Sequence, residues 1–166
     1  MKRLIIIALA TVVALSLVLM PAVGVSASPP TTEVEGTFKL IKFEPTKPPI
    51  FTANGNVIIT AHLITEWTGD FVGTDEGVGV FVMRPNGDYT LNTITTFTGR
   101  CLDGPEGTMN IYTTSRGNDY TMQFQGRMTL VGRTGGLAGL HGKLTFTNDP
   151  LGEGNNPYSG KIHFDP

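Results

Sequence analysis

Between Gly132 and Phe146 the chain reads Gly-Arg-Thr-Gly-Gly-Leu-Ala-Gly-Leu-His-Gly-Lys-Leu-Thr-Phe, with five glycines inside eleven residues. Each glycine costs a helix about 1 kcal/mol, so no helix forms here. Leu140, Leu144 and Phe146 share one parity and therefore one face of a strand. Gly142 stands on that face without a side chain, which relieves crowding on the inside of a bend. The stretch predicts a tight turn feeding a strand at the corner of a curved sheet.

The rest of the chain agrees. From Glu33 onward, runs rich in Thr, Val, Ile and Phe alternate with turn residues, and no long window carries an apolar stripe of helical period. Eight strands are predicted, near 33–44, 56–67, 70–84, 88–99, 107–115, 119–131, 137–147 and 158–165. Asn86-Gly87 is the strongest hairpin signal, and Gly117-Asn118-Asp119 and Thr68-Gly69-Asp70 are also tight. Consecutive strands joined mostly by hairpins predict an all-β fold, an eight-stranded antiparallel up-and-down barrel over residues 33–166, because closure removes both exposed edges. In a closed barrel the loops at 45–55 and 148–157 flank one mouth, with Pro48-Pro49-Ile50-Phe51 as an apolar lid. Phe-x-Gly recurs at Phe71, Phe97 and Phe124, and all three are expected in the opposite, glycine-rich half as its plug.

The Gly132 turn, with Phe97-Thr98-Gly99 and Gly104-Pro105-Glu106-Gly107-Thr108 before it, resembles the small bacterial domains of unknown function that share the allene oxide cyclase-like barrel. In those domains a Gly-Thr-Gly-x-Leu-x-Gly-x-x-Gly turn follows a Phe-x-Gly…Gly-x-x-Gly strand pair. The resemblance spans roughly Phe71 to Phe164 and departs at Arg133-Thr134. It implies the barrel and assigns no activity. Allene oxide cyclases use a lumenal glutamate without metal or cofactor, but their motif does not align here residue by residue, and no catalytic role is carried over.

Met1-Lys2-Arg3 is basic, Leu4 to Met20 is free of charge, and Val25-Ser26-Ala27 precedes Ser28. This is the layout of a secretory signal peptide over 1–27, with cleavage expected after Ala27. The seventeen uncharged residues from Leu4 to Met20 are at the lower limit for a spanning helix, so no membrane attachment is expected after cleavage. The proline-rich stretch 28–32 reads as a disordered lead. The mature chain then carries ten basic against fourteen acidic residues, scattered, which argues against a nucleic-acid partner. Secretion to an extracellular or periplasmic space is the expectation. Cys101 is the single cysteine, so no intrachain disulfide forms.

Candidate chemistry is sparse. Glu66 ends an apolar strand beside Trp67, where desolvation would raise its pKa, and it is the only acid suggested for a cofactor-free cyclase or isomerase acting on an oxygenated lipid. His141 and His163 sit on neighbouring strands, but the adjacent Lys143 and Lys161 repel a cation, so no metal and no other cofactor is expected. There is no Gly-x-Ser-x-Gly elbow, His-Glu-x-x-His or phosphate loop. Tyr120, Met122, Phe124, Met128 and Leu130 share a parity, and with Phe97, Leu144 and Phe146 they are expected to point inward. Of these, Phe97, Met122, Phe124, Met128, Leu144 and Phe146 are the candidate contacts for a small apolar ligand. The leading reading is a secreted barrel without catalysis that holds such a ligand. A cell-surface interaction protein is the other non-enzymatic reading, and it requires a filled interior and an exposed apolar patch. A homodimer would cover strands that are apolar on both faces.

Overall fold

The computed structural model describes residues 29–149 and 151–165, so the signal peptide expected over 1–27 lies outside the described residues. Nine antiparallel strands follow in chain order: β1 (Thr32–Pro45), β2 (Ile50–Phe51), β3 (Val57–Gly69), β4 (Phe71–Met83), β5 (Asp88–Cys101), β6 (Gly107–Asn118), β7 (Gln123–Gly135), β8 (Leu140–Thr147) and β9 (Asn156–Phe164). Each long strand pairs with the next. β1 closes the ring, its first half bonded to β9 through Thr32↔Ile162 to Phe38↔Asn156 and its second half to β3 through Gly36↔Gly69 to Pro45↔Ala61. Eight long strands therefore form the expected up-and-down barrel, and β2 folds back on β3.

Alternation decides which side chains face inward. Trp67, Phe71, Phe97, Met109, Ile111, Leu130, Leu137, Leu140, Leu144 and Ile162 are all nearly inaccessible to solvent and form one core. Its centre is aromatic, with Trp67 edge-on to Phe71 and Phe97 at centroid distances of 6.1 and 6.0 Å. Tyr158 joins from β9, 5.0 Å from Trp67, and its hydroxyl accepts the Phe71 N–H at 3.0 Å and donates to the Thr68 carbonyl at 3.4 Å. One side chain thus stitches the last strand to the β3–β4 turn over Gly36 of β1. Close approach explains two glycines on this face. A methyl group at Gly36 would lie 2.5 Å from the Tyr158 hydroxyl, and one at Gly126 would collide with the Phe146 ring.

Three details depart from the sequence reading. β6 continues to Asn118, whose Oδ1 accepts the N–H groups of Tyr120 at 2.9 Å and Thr121 at 3.2 Å, so the turn falls at 119–122 instead of 117–119. Tyr120 and Met122 consequently stand at the hairpin tip, 75% and 76% exposed, and do not point inward. β8 starts at Leu140, and Leu137 lies in the preceding turn, fully buried as a stopper. Phe71 and Phe97 plug the glycine-rich half as expected, but Phe124 pairs with Gly117 beside the other set of hairpins. An offset of two strands repeats the path around a barrel. It does not repeat the height when hairpins differ in length.

Candidate functional site

The nominated interior residues are now placed. Phe97, Met128, Leu144 and Phe146 are buried members of the core, and Phe124 is half-buried against it, 6.1 Å from Phe146. Met122 is the exception, at the exposed tip. Where these residues meet, the barrel is filled by their own side chains. The apolar segment Ile50-Phe51 pairs with Ile58 and Val57 of β3, with both side chains exposed.

Glu66 does not enter the lumen. It lies on the outer face between Lys39 of β1 and Thr74 of β4 and is exposed, because alternation sends it opposite to buried Trp67. The acid that Trp67 touches is Asp75, on the inner face of β4 and only 5% exposed. The indole N–H donates to Asp75 Oδ2 at 3.0 Å. Burial pushes the carboxyl up to about 6, while the indole N–H of Trp67 pulls the other way. Oδ1 nevertheless has no hydrogen-bond partner among the described residues, nor does the Thr95 hydroxyl. Asp75 shares the parity of Phe71 and Phe81, and that was the signal available in the sequence.

His141 and His163 face each other across β8 and β9, stacked at 5.4 Å. Asp165 engages both, at 3.1 Å from His141 Nε2 and 3.9 Å from His163 Nε2, and the Lys143–Lys161 pair follows next along these strands. No group of three or more histidine, cysteine or acidic side chains suited to holding a metal occurs among the described residues. His62 pairs with Glu76 at 2.8 Å on the outer face. Asp149, just after β8, spends its carboxylate on the N–H groups of Leu151 and Asn155, at 2.8 and 3.1 Å, which lowers its pKa. Cys101 is buried, and its thiol is pushed up to about 11 by that burial and then by the charge of Asp70.

The outside is more eventful. Outward residues of β3 to β6 make an apolar field in which His62, Val78, Ile94 and Tyr112 align across four strands. Val78 is 47% and Ile94 62% exposed, and Val80 and Ile50, which pairs with outward Ile58, extend the field.

A family described as a protein of unknown function, DUF3224, matches residues 34–159. The chain belongs to that family. The barrel is similar to the crystal structure of a protein of unknown function from the DUF3224 family of Shewanella oneidensis MR-1, with a TM-score of 0.68 and 21% identity over 82% of this chain and 99% of that one. A protein of unknown function from Clostridium acetobutylicum ATCC 824 is matched over the same shares at 14% identity with a TM-score of 0.44. No curated protein matches the chain. The first of these likenesses supports the DUF3224 barrel as a fold, and neither family nor structure carries an activity with it.

Proposed function

We propose that this DUF3224 barrel is an exported interaction protein that binds through its outer surface. The observation that carries this reading is the exposed row Val78–Ile94–Tyr112 on a barrel in which Phe97, Met128, Leu144 and Phe146 already pack together. Apolar side chains left exposed on the outside of the barrel keep surface that is available to a partner. A second copy of the chain is the simplest occupant, since a two-fold axis brings the same row against itself. Light scattering of the mature chain over a concentration series tests this. The wild type should reach the mass of a dimer and Val78→Lys with Ile94→Lys should remain a monomer of unchanged melting temperature. A wild type that stays monomeric throughout would remove the dimer. Export is tested by the N-terminal residue of protein from its own source, expected at Ser28.

One observation favours a small apolar ligand as a second reading. At the loop-bearing end Phe43, 42% exposed, lies edge-on to half-buried Phe81, and Tyr89 and Phe124 are also only half-buried. Native mass spectrometry with octanol tests that mouth. A bound mass that disappears in Phe81→Ser would support it, and no bound mass would dismiss it.

A further inference from the structure

A groove of about 920 Å3 runs along the outside of the barrel over β5 to β9 and reaches Glu35 of β1, sharing β5 and β6 with the apolar field but lying nearer the 119–122 hairpin. That volume is in the range of small-molecule sites. Two rows of outward side chains cross it, Arg116–Gln125–Thr147 and Thr114–Arg127–Thr145. Arg116 faces Gln125 while Arg127 faces Thr114, so the two arginines are diagonal neighbours on β6 and β7. Such neighbours are about 7–8 Å apart, within reach of long side chains, and like charges so placed repel.

No acid among the described residues offsets that repulsion. Neither guanidinium forms an ion pair there, although the chain holds 14 acidic against 12 basic residues. Glu35, the acid on the groove wall, is on β1, three strands away from β7. A hollow of about 570 Å3 adjoins the groove and shares Arg116; its acid, Asp88, already accepts from Asn86 and Asn118 at 2.8 Å each.

We infer that this groove binds a small polyhydroxylated organic anion, its phosphate or carboxylate held between Arg116 and Arg127. Guanidinium is the side chain suited to forked contact with such groups. The hydroxyls of Thr114 and Thr145 already donate within the sheet, to Asn92 Oδ1 at 3.0 Å and the Ser159 carbonyl at 3.4 Å. Their lone pairs are left to accept from ligand hydroxyls, and the Gln125 amide both donates and accepts. The Phe-Gln-Gly-Arg segment at 124–127 then serves both sides of the sheet, with Phe124 and Gly126 turned to the core and Gln125 and Arg127 turned to the groove.

The inference is tested by an amide NMR titration of the mature chain with glucose 6-phosphate, glucuronate, glucose and inorganic phosphate. Saturable shifts are expected around Arg116, Gln125, Arg127 and Thr145 with glucose 6-phosphate or glucuronate, and weaker binding with glucose or phosphate alone. Arg116→Gln with Arg127→Gln should weaken binding by about tenfold or more, and Arg133→Gln, outside the groove, should leave it unchanged. Inorganic phosphate binding as tightly as glucose 6-phosphate would mean an adventitious ion only and overturn the inference. So would the absence of saturation by either sugar anion, or equal weakening by Arg133→Gln.

Discussion

The aromatic plug and the outer apolar row are both stacks of large side chains crossing neighbouring strands, but their exposures differ sharply. Trp67 and Phe97 are 1% and 0% exposed, whereas Val78 and Ile94 are 47% and 62% exposed. Register makes the difference. Phe97 lies directly opposite Asp75, and Ile94 opposite Val78, on alternate faces of the same two strands. Folding has used the first set almost fully, while about half of the second is still open to solvent. The contrast teaches that in a closed barrel the inner face is answerable to stability, while an apolar outer face needs a separate explanation.

Breaking the inner set should have the largest effect. Trp67→Ala removes the hub of the aromatic contacts and the donor to Asp75, and should cost about 3–5 kcal/mol in urea unfolding. A loss below about 1 kcal/mol would mean that the plug is not what holds the barrel.

Asp75 gives a pH signature of the same interior. Its folded pKa of about 6 lies above the ordinary 3.8, so the folded state holds the proton more tightly than the unfolded chain. That contribution is fully present below about pH 4 and is lost as pH rises through 6, a difference of about 3 kcal/mol. Asp75→Asn, which keeps an acceptor for Trp67, should lack this decline. Parallel stability curves for the two proteins from pH 4 to 7 would show that the carboxyl is not buried in solution.

Overpacking comes next. Gly126→Ala pushes a methyl into the Phe146 ring and the Ser115 side chain and should cost about 1–3 kcal/mol by thermal melting. Ile94→Lys should be the mildest for folding, within about 0.5 kcal/mol, yet abolish self-association in light scattering. If it unfolds the chain instead, the outer row belongs to the core and the contrast fails.

These same residues show what could be read in advance. The barrel was legible because Phe71, Phe97, Leu130, Leu140, Leu144 and Phe146 all obey period-two alternation and the glycine turns fall between them. The 119–122 turn was not. Asn118 caps it through a side chain, and Met122 adopts a left-handed φ of 53°, which sequence gives no reason to assign to methionine. Glu66 attracted attention as the neighbour of Trp67 in sequence, but strand neighbours face opposite ways, and Asp75 meets the indole from across the sheet. The arginine groove required the β6–β7 register, since Arg116 and Arg127 are eleven positions apart in the chain and become diagonal neighbours only once the hairpin is fixed.

The inside–outside contrast is tested most directly by methyl relaxation from a soluble gadolinium chelate, read residue by residue at low and high protein concentration. Leu130 and Leu144 should be unaffected at both, while Val78, Val80 and Ile94 should relax strongly when dilute and lose that relaxation as the protein is concentrated. Outer methyls that relax equally at every concentration, or inner methyls that the chelate reaches, would contradict the account.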